Sequence, residues 1–222
     1  MRGLYAIADV GILSARGVDV VRFATAVLMA RPAALQLRAK DMGAREIMSL
    51  LRALQPMCRQ MHVPLVANDR PDVAALAGVD IVHVGQTDMP IQTVRRIAPQ
   101  LGVGVSTHNP EQLARALEHR PTYVAYGPVF ATASKENPDP VVGLVALRAA
   151  HVAAARAGVP LVAIGGISRE RARDIAESAD AGAVIAALLP PSGAVDMDDV
   201  TARASTLHQL LSGGVQQAEA RG

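Results

Sequence analysis

The chain carries one cysteine, no tryptophan, three tyrosines and two phenylalanines among its 222 residues. With so few aromatic rings there is no stacking platform for single-stranded nucleic acid. A net charge of +2 is too small to argue for nucleic acid as a partner. Cys58 stands alone in a helical pattern and reads as a small core filler rather than a nucleophile. The apolar runs are too short and too interrupted to span a bilayer. No secretory pattern opens the chain, because residues 5–9 already read as a strand, so a cytoplasmic location with no membrane partner is expected. Also missing are a Ser/Gly-rich linker, a low-complexity block and a G-x-G-x-x-G after the first strand, the last of which speaks against a dinucleotide fold.

What is present is a repeating alternation. Apolar, strand-like runs fall near residues 3–8, 33–38, 63–67, 80–84, 102–106, 122–126, 160–164 and 182–186. Between them lie segments with helical spacing, such as Val20, Phe23, Ala24, Val27 and Leu28, or Ile47, Leu50, Leu51 and Leu54. Eight such units in a chain of this length predict a single α/β domain, a (β/α)8 TIM barrel over residues 1–212, with 213–222 as a frayed tail. A doubly wound open sheet is the other architecture the alternation allows. In the barrel, chemistry gathers at the carboxyl ends of the strands, so the strand ends decide the function.

Asp69 closes the third strand and Asp88 follows the fourth. Parallel neighbours would bring both acids to one rim, about 4.8 Å apart. Two carboxylates so placed share a proton or hold a hard cation such as Mg2+; the bland alternative is that each caps the next helix. On the second strand Gln36, Arg38 and Lys40 alternate with Leu35, Leu37 and Ala39. The apolar set must pack on helices, which turns the polar set to the barrel mouth, where a cation needs an anion. Asp9, at the rim end of the first strand, is either a turn residue or a partner that supports a site residue, and the turn is the favoured reading. His83 lies inside an apolar strand and reads as a hydrogen-bonded core histidine, since no second His stands at zinc-ligand spacing. Ser106 ends the fifth strand without a G-x-S-x-G elbow around it and suits a hydrogen-bond donor to a ligand. Thr132, Ser134 and Lys135 lie in the longest loop, a candidate phosphate clasp. Gly165 and Gly166 open the segment after the seventh strand, where barrels of this type hold phosphate on backbone N–H groups.

No convincing nucleophile or general base emerges from this set. The chemistry it suits is charge neutralisation of a leaving group, with two phosphorylated ligands, one a diphosphate held through Mg2+.

Taken together, Gln36-Leu-Arg38-Ala-Lys40, Asn68-Asp69-Arg70, His83-Val-Gly85-Gln86-Thr-Asp88, Gly104-Val-Ser106, the Gly127 to Lys135 stretch and Ile164-Gly165-Gly166-Ile167 resemble thiamine phosphate synthase. The resemblance spans about residues 4–190. It implies a transferase that joins hydroxymethylpyrimidine diphosphate to thiazole phosphate, giving thiamine phosphate and pyrophosphate through ionisation of the pyrimidine diphosphate. By the same resemblance, Gln36 contacts the pyrimidine, and Arg38, Lys40, Asn68, Ser106 and Lys135 hold the diphosphate, with Arg38, Lys40 and Lys135 as the catalytic cations. Asp69 and Asp88 hold Mg2+. Thr132, Ser134, Gly166, Ile185 and Ala186 take the thiazole phosphate. Ser134 keeps the hydroxyl of a commoner threonine, whereas Ala186 stands where a serine is common and loses one. The partners are small molecules; a homodimer is compatible with the reading. Two other functions fit the fold: a thiazole tautomerase-type relative using His108 as acid/base, and a non-catalytic phosphometabolite-binding barrel. Mg2+-dependent turnover separates the synthase from both.

Overall fold

A strand of four to seven residues cannot bury itself, and eight of them here solve the problem by closing on one another. The computed structural model describes residues 1–132 and 139–213. In chain order the elements are β1 (Gly3–Asp9), α1 (Val10–Ala15), α2 (Val20–Leu28), β2 (Ala34–Arg38), α3 (Ala44–Met61), β3 (Leu65–Asn68), α4 (Pro71–Ala77) and β4 (Ile81–Val84). They continue with α5 (Ile91–Ile97), β5 (Gly102–Thr107), α6 (Pro110–Glu118), β6 (Tyr123–Tyr126), α7 (Gly143–Arg156), β7 (Leu161–Ile164), α8 (Ala172–Ala176), β8 (Ala181–Val184), a 3-10 turn (Ala186–Leu188) and α9 (Met197–Gly213). Each strand pairs parallel with the next and β8 closes on β1. The expected (β/α)8 barrel is the observed fold. No helix among the described residues is long and apolar enough to cross a membrane.

The period-two alternation of a strand divides the core into two compartments. Leu4, Ala6 and Ala8 of β1, Leu35 and Leu37 of β2, and their counterparts around the barrel pack outward on the helices. Tyr5, Ile7, Ala34, Val66, Ile81, Tyr123, Ala125, Val162, Ala181 and Ala183 fill the interior. The helices supply the outer wall through stripes at three- and four-residue spacing, as in α3, where Ile47, Leu51, Leu54 and Cys58 are buried. Cys58 is thus a core filler.

The expected strands match the observed ones to within two residues at either end, and the one whose expected carboxyl end overshoots is β8. β8 ends at Val184, and Ile185 turns out of the sheet at φ −115°, ψ −79° to start the 3-10 turn. Nothing polar marks that exit in the run Val184-Ile185-Ala186-Ala187, so the hydropathy pattern overshoots it. Ser134, Lys135 and residues 214–222 lie outside the described residues.

Candidate active site

The inward parity of the strands continues to their carboxyl ends, where apolar filling gives way to a cavity of about 430 Å³. Gln36, Arg38, Lys40, Asn68, Asp69, Asp88, Ser106, Thr132, Gly166, Ile185 and Ala186 all line it. Ser134 and Lys135 are the two expected site residues on which the geometry is silent.

The acid pair is built by two tight turns. Asp69 follows β3 at φ +65°, a left-handed conformation that Asp tolerates better than most side chains but that still carries strain. Its N–H donates to the His83 carbonyl (2.8 Å) and the next N–H, of Arg70, donates to Asn68 O (2.8 Å), which makes Asp69 the apex of the turn. Arg70 points elsewhere and pairs with Asp72 (2.6 Å). Asp88 accepts from the Gly85 N–H (2.7 Å), which holds the loop after β4. The helix-cap alternative fails for both acids: α4 begins at an Arg70 cap and α5 at a Pro90 cap. The two carboxyls face each other closely. Burial, then the Asp88 charge and a carboxyl–carboxyl hydrogen bond, push Asp69 up to about 6, against the pull of Lys40 and Arg38. A half-buried pair of hard oxygen donors that resists ionising together is the donor set a divalent cation favours.

Arg38 is held by Asp9, which fills both of the roles open to it, turn residue and partner of a site residue. Asp9 is 4% exposed and does both tasks. One carboxylate oxygen caps α1 through the Ile12 N–H (3.0 Å), and the other pairs with Arg38. The register explains it, since Asp9 stands opposite Arg38 across the β1–β2 pair. Gln36 donates to Asn68 Oδ1 (2.9 Å), tying the floor of β2 to that of β3.

Beneath Ser106 lies a chain of buried polar groups. Ser106 Oγ is 2.7 Å from His83 Nε2, His83 Nδ1 is 2.8 Å from Tyr123 Oη, and Tyr123 Oη is 2.6 Å from Tyr5 Oη. Burial lowers His83 to about 4, with the Asp88 charge acting in the opposite sense. His83 is therefore a hydrogen-bonded barrel histidine, as its setting in an apolar strand suggests. The two tyrosines were legible only as apolar strand residues, although their parity marked them as inward-facing. Gly104 makes the crossing feasible. In register it stands between His83 and Tyr123, and a Cβ there would lie 2.1 Å from Tyr123 Cζ.

On the opposite side of the cavity, the segments after β6 and β7 press together. Val129 N donates to Ile164 O (2.8 Å) and Phe130 N to Gly165 O (3.1 Å). Gly165 and Gly166 have φ of +100° and +63°, and a Cβ on either would come within 2.5 Å of Pro128 or of the Ala131 carbonyl. Close packing thus demands both glycines independently of any ligand. His108 sets its Nδ1 2.7 Å from Gly127 O, and its Nε2 lies 3.6 Å from Asp139.

Comparison with known proteins agrees in one direction. Residues 4–188 match the family model described as thiamine monophosphate synthase. The chain is 44% identical over 216 residues to a thiamine-phosphate synthase of Koribacter versatilis, covering 94% of this chain and 95% of that protein. It is 36% identical over 212 residues to one from Chloroflexus aurantiacus, covering 94% and 92%. Among solved structures, a thiamine phosphate pyrophosphorylase from Pyrococcus furiosus superposes with a TM-score of 0.82 at 29% identity, covering 96% of each chain.

Proposed function

The chain belongs to the thiamine monophosphate synthase family, and from that premise we propose that it joins hydroxymethylpyrimidine diphosphate to thiazole phosphate with the cavity residues in the roles that follow. The reaction yields thiamine phosphate and pyrophosphate, and the enzyme is a transferase acting on small phosphorylated molecules. The observation that carries the assignment of roles is the Asp69–Asp88 pair, facing Arg38 and Lys40 across one cavity.

The reaction begins with ionisation of the pyrimidine–oxygen bond, so negative charge grows on the departing diphosphate. The largest assistance comes from positive charge and donors already aimed at that oxygen cluster. Arg38, kept in place by Asp9, and Lys40 supply that charge, with Asn68 and Ser106 as further contacts. Lys135 joins them by its position in the family motif. Gln36, oriented by Asn68, lies deeper and contacts the pyrimidine. Asp69 and Asp88 would hold Mg2+, which when bound neutralises diphosphate charge. Thr132 and the backbone of Gly166, Ile185 and Ala186 hold the thiazole phosphate on the far side, and Ser134 is assigned to it by its position in the family motif. The thiazole nitrogen then captures the pyrimidine cation, a step that needs orientation rather than a protein base. Both substrates are charged metabolites, which fits a cytoplasmic location.

The test is turnover by the purified protein with both substrates, in chelator and again with added Mg2+. Formation of thiamine phosphate and pyrophosphate only with the metal supports the roles given. Equal rates in chelator would refute the metal assignment, and no product under either condition would refute the activity.

A further inference from the structure

The polar chain inside the barrel has a direction, and the direction follows from counting protons. Tyr5 and Tyr123 are 2% and 0% exposed and His83 is 8% exposed. A hydroxyl carries a single proton, and a neutral imidazole carries one N–H and one acceptor nitrogen. Tyr5 Oη has one polar partner among the described residues, Tyr123 Oη. If Tyr5 accepted from Tyr123, its own O–H would be buried with nothing to receive it, and an unmet buried donor is expensive. Tyr5 therefore donates to Tyr123. Tyr123 must then send its proton to its other partner, His83 Nδ1. With Nδ1 accepting, the ring proton of the neutral histidine sits on Nε2 and is donated to Ser106 Oγ. Ser106 has thereby lost the acceptor that would have taken its own hydrogen, and that hydrogen turns into the cavity.

We infer that Tyr5, Tyr123 and His83 are positioning residues that lock Ser106 as a one-way hydrogen-bond donor toward an anionic oxygen of the ligand. The inference rests on the proposed function for the identity of that ligand, the pyrimidine diphosphate. In the reverse polarity Ser106 would give its hydrogen to His83 and offer the diphosphate only lone pairs, which would repel the growing negative charge. Each link in the inferred direction also polarises the next, so the effect on Ser106 is greatest when charge on the leaving group is greatest. It belongs in kcat more than in KM. Gly104 is the enabling residue, because any side chain there would occupy the space of the Tyr123 ring.

Two measurements test it. The first is the tautomer of His83, read from its ring 15N resonances in the labelled protein without substrates. The Nε2–H form is expected, and the Nδ1–H form would overturn the inference. The second is a double-mutant cycle on turnover. Tyr123→Phe keeps the ring but removes the hydroxyl, and is expected to lower kcat about threefold to tenfold, the worth of one neutral hydrogen bond. In a Ser106→Ala background the same change should cost less than about twofold, because its effect runs through Ser106. An equal loss in both backgrounds would make Tyr123 a packing residue and overturn the inference. The tautomer needs no turnover, so an inactive protein would refute the proposed function without touching this result, and an active protein with the wrong tautomer would do the opposite.

Discussion

Replacing Asp69 by Asn should make the protein more stable and nearly inactive at once. Asn keeps the shape of the side chain and is also at home at φ +65°, so the turn after β3 survives. What changes is charge. Asp69 is raised from 3.8 to about 6 by burial and by Asp88, which corresponds to about 3 kcal/mol at full strength. The side chain is only half-buried, and solvent screening reduces this to about 1–2 kcal/mol. The folded pKa lies above the unfolded one, so the cost of an ionised Asp69 is complete above about pH 6 and vanishes as the pH falls toward 4. Denaturant unfolding in chelator at pH 8 should therefore find Asp69→Asn the more stable by that amount, and at pH 4 no different from the parent. Mg2+ should reverse the order at pH 8, because a cation at a hundredfold its Kd adds about 2.7 kcal/mol to a protein that binds it. Turnover with Mg2+ should fall by a factor of about a hundred or more. A variant less stable than the parent in chelator at pH 8, or one whose stability still rises with Mg2+ as the parent's does, would refute the reasoning.

Variants at three further positions can be checked by unfolding experiments and kinetics. Asp9→Asn preserves the α1 cap but not the Arg38 ion pair, and should lower kcat with little change in stability, whereas Asp9→Ala should also lose about 1–2 kcal/mol in unfolding experiments. Gly166→Ala places a Cβ 2.5 Å from the Ala131 carbonyl at φ +63°; calorimetry should show a loss of about 1–3 kcal/mol, and kinetics a raised KM for thiazole phosphate. Ala186→Ser should lower that KM by at most about a hundredfold, the worth of one hydrogen bond to a charged group, with kcat nearly unchanged. Ala186→Pro, which removes the N–H, should weaken thiazole phosphate binding much more, and normal binding would take the phosphate off this backbone.

The barrel was legible because each strand carries its own evidence of two-sided burial. Gln36, Arg38 and Lys40 alternating with Leu35, Leu37 and Ala39 already specify which side faces the mouth, and the cavity is lined accordingly. The exit of β8 at Val184 was not legible, because an apolar run looks the same in a strand and in a 3-10 turn. Asp9 was half legible: its capping of α1 is local, but its pairing with Arg38 depends on the β1–β2 register, which no short stretch encodes. Tyr5 and Tyr123 lie 118 residues apart. Their rings read as core, and only closure of the barrel brings their hydroxyls together. The glycines at 165 and 166 read as a phosphate cradle, yet they also answer a packing demand from Pro128 and Ala131, which belongs to a neighbouring unit and so leaves no local trace.

The contact between Gly104 and Tyr123 also restricts how this chain can change over time. A side chain cannot appear at position 104 while the tyrosine is in place, since its first carbon would fall 2.1 Å from the ring. If the tyrosine shrinks first, it leaves a ring-sized void in the barrel interior, which is costly by itself. Either order passes through a damaged intermediate, so the two positions can be exchanged only together. In a library that randomises residues 104 and 123 at once, the surviving variants should pair a small residue with a large one, and single-site scans would report both positions as immutable.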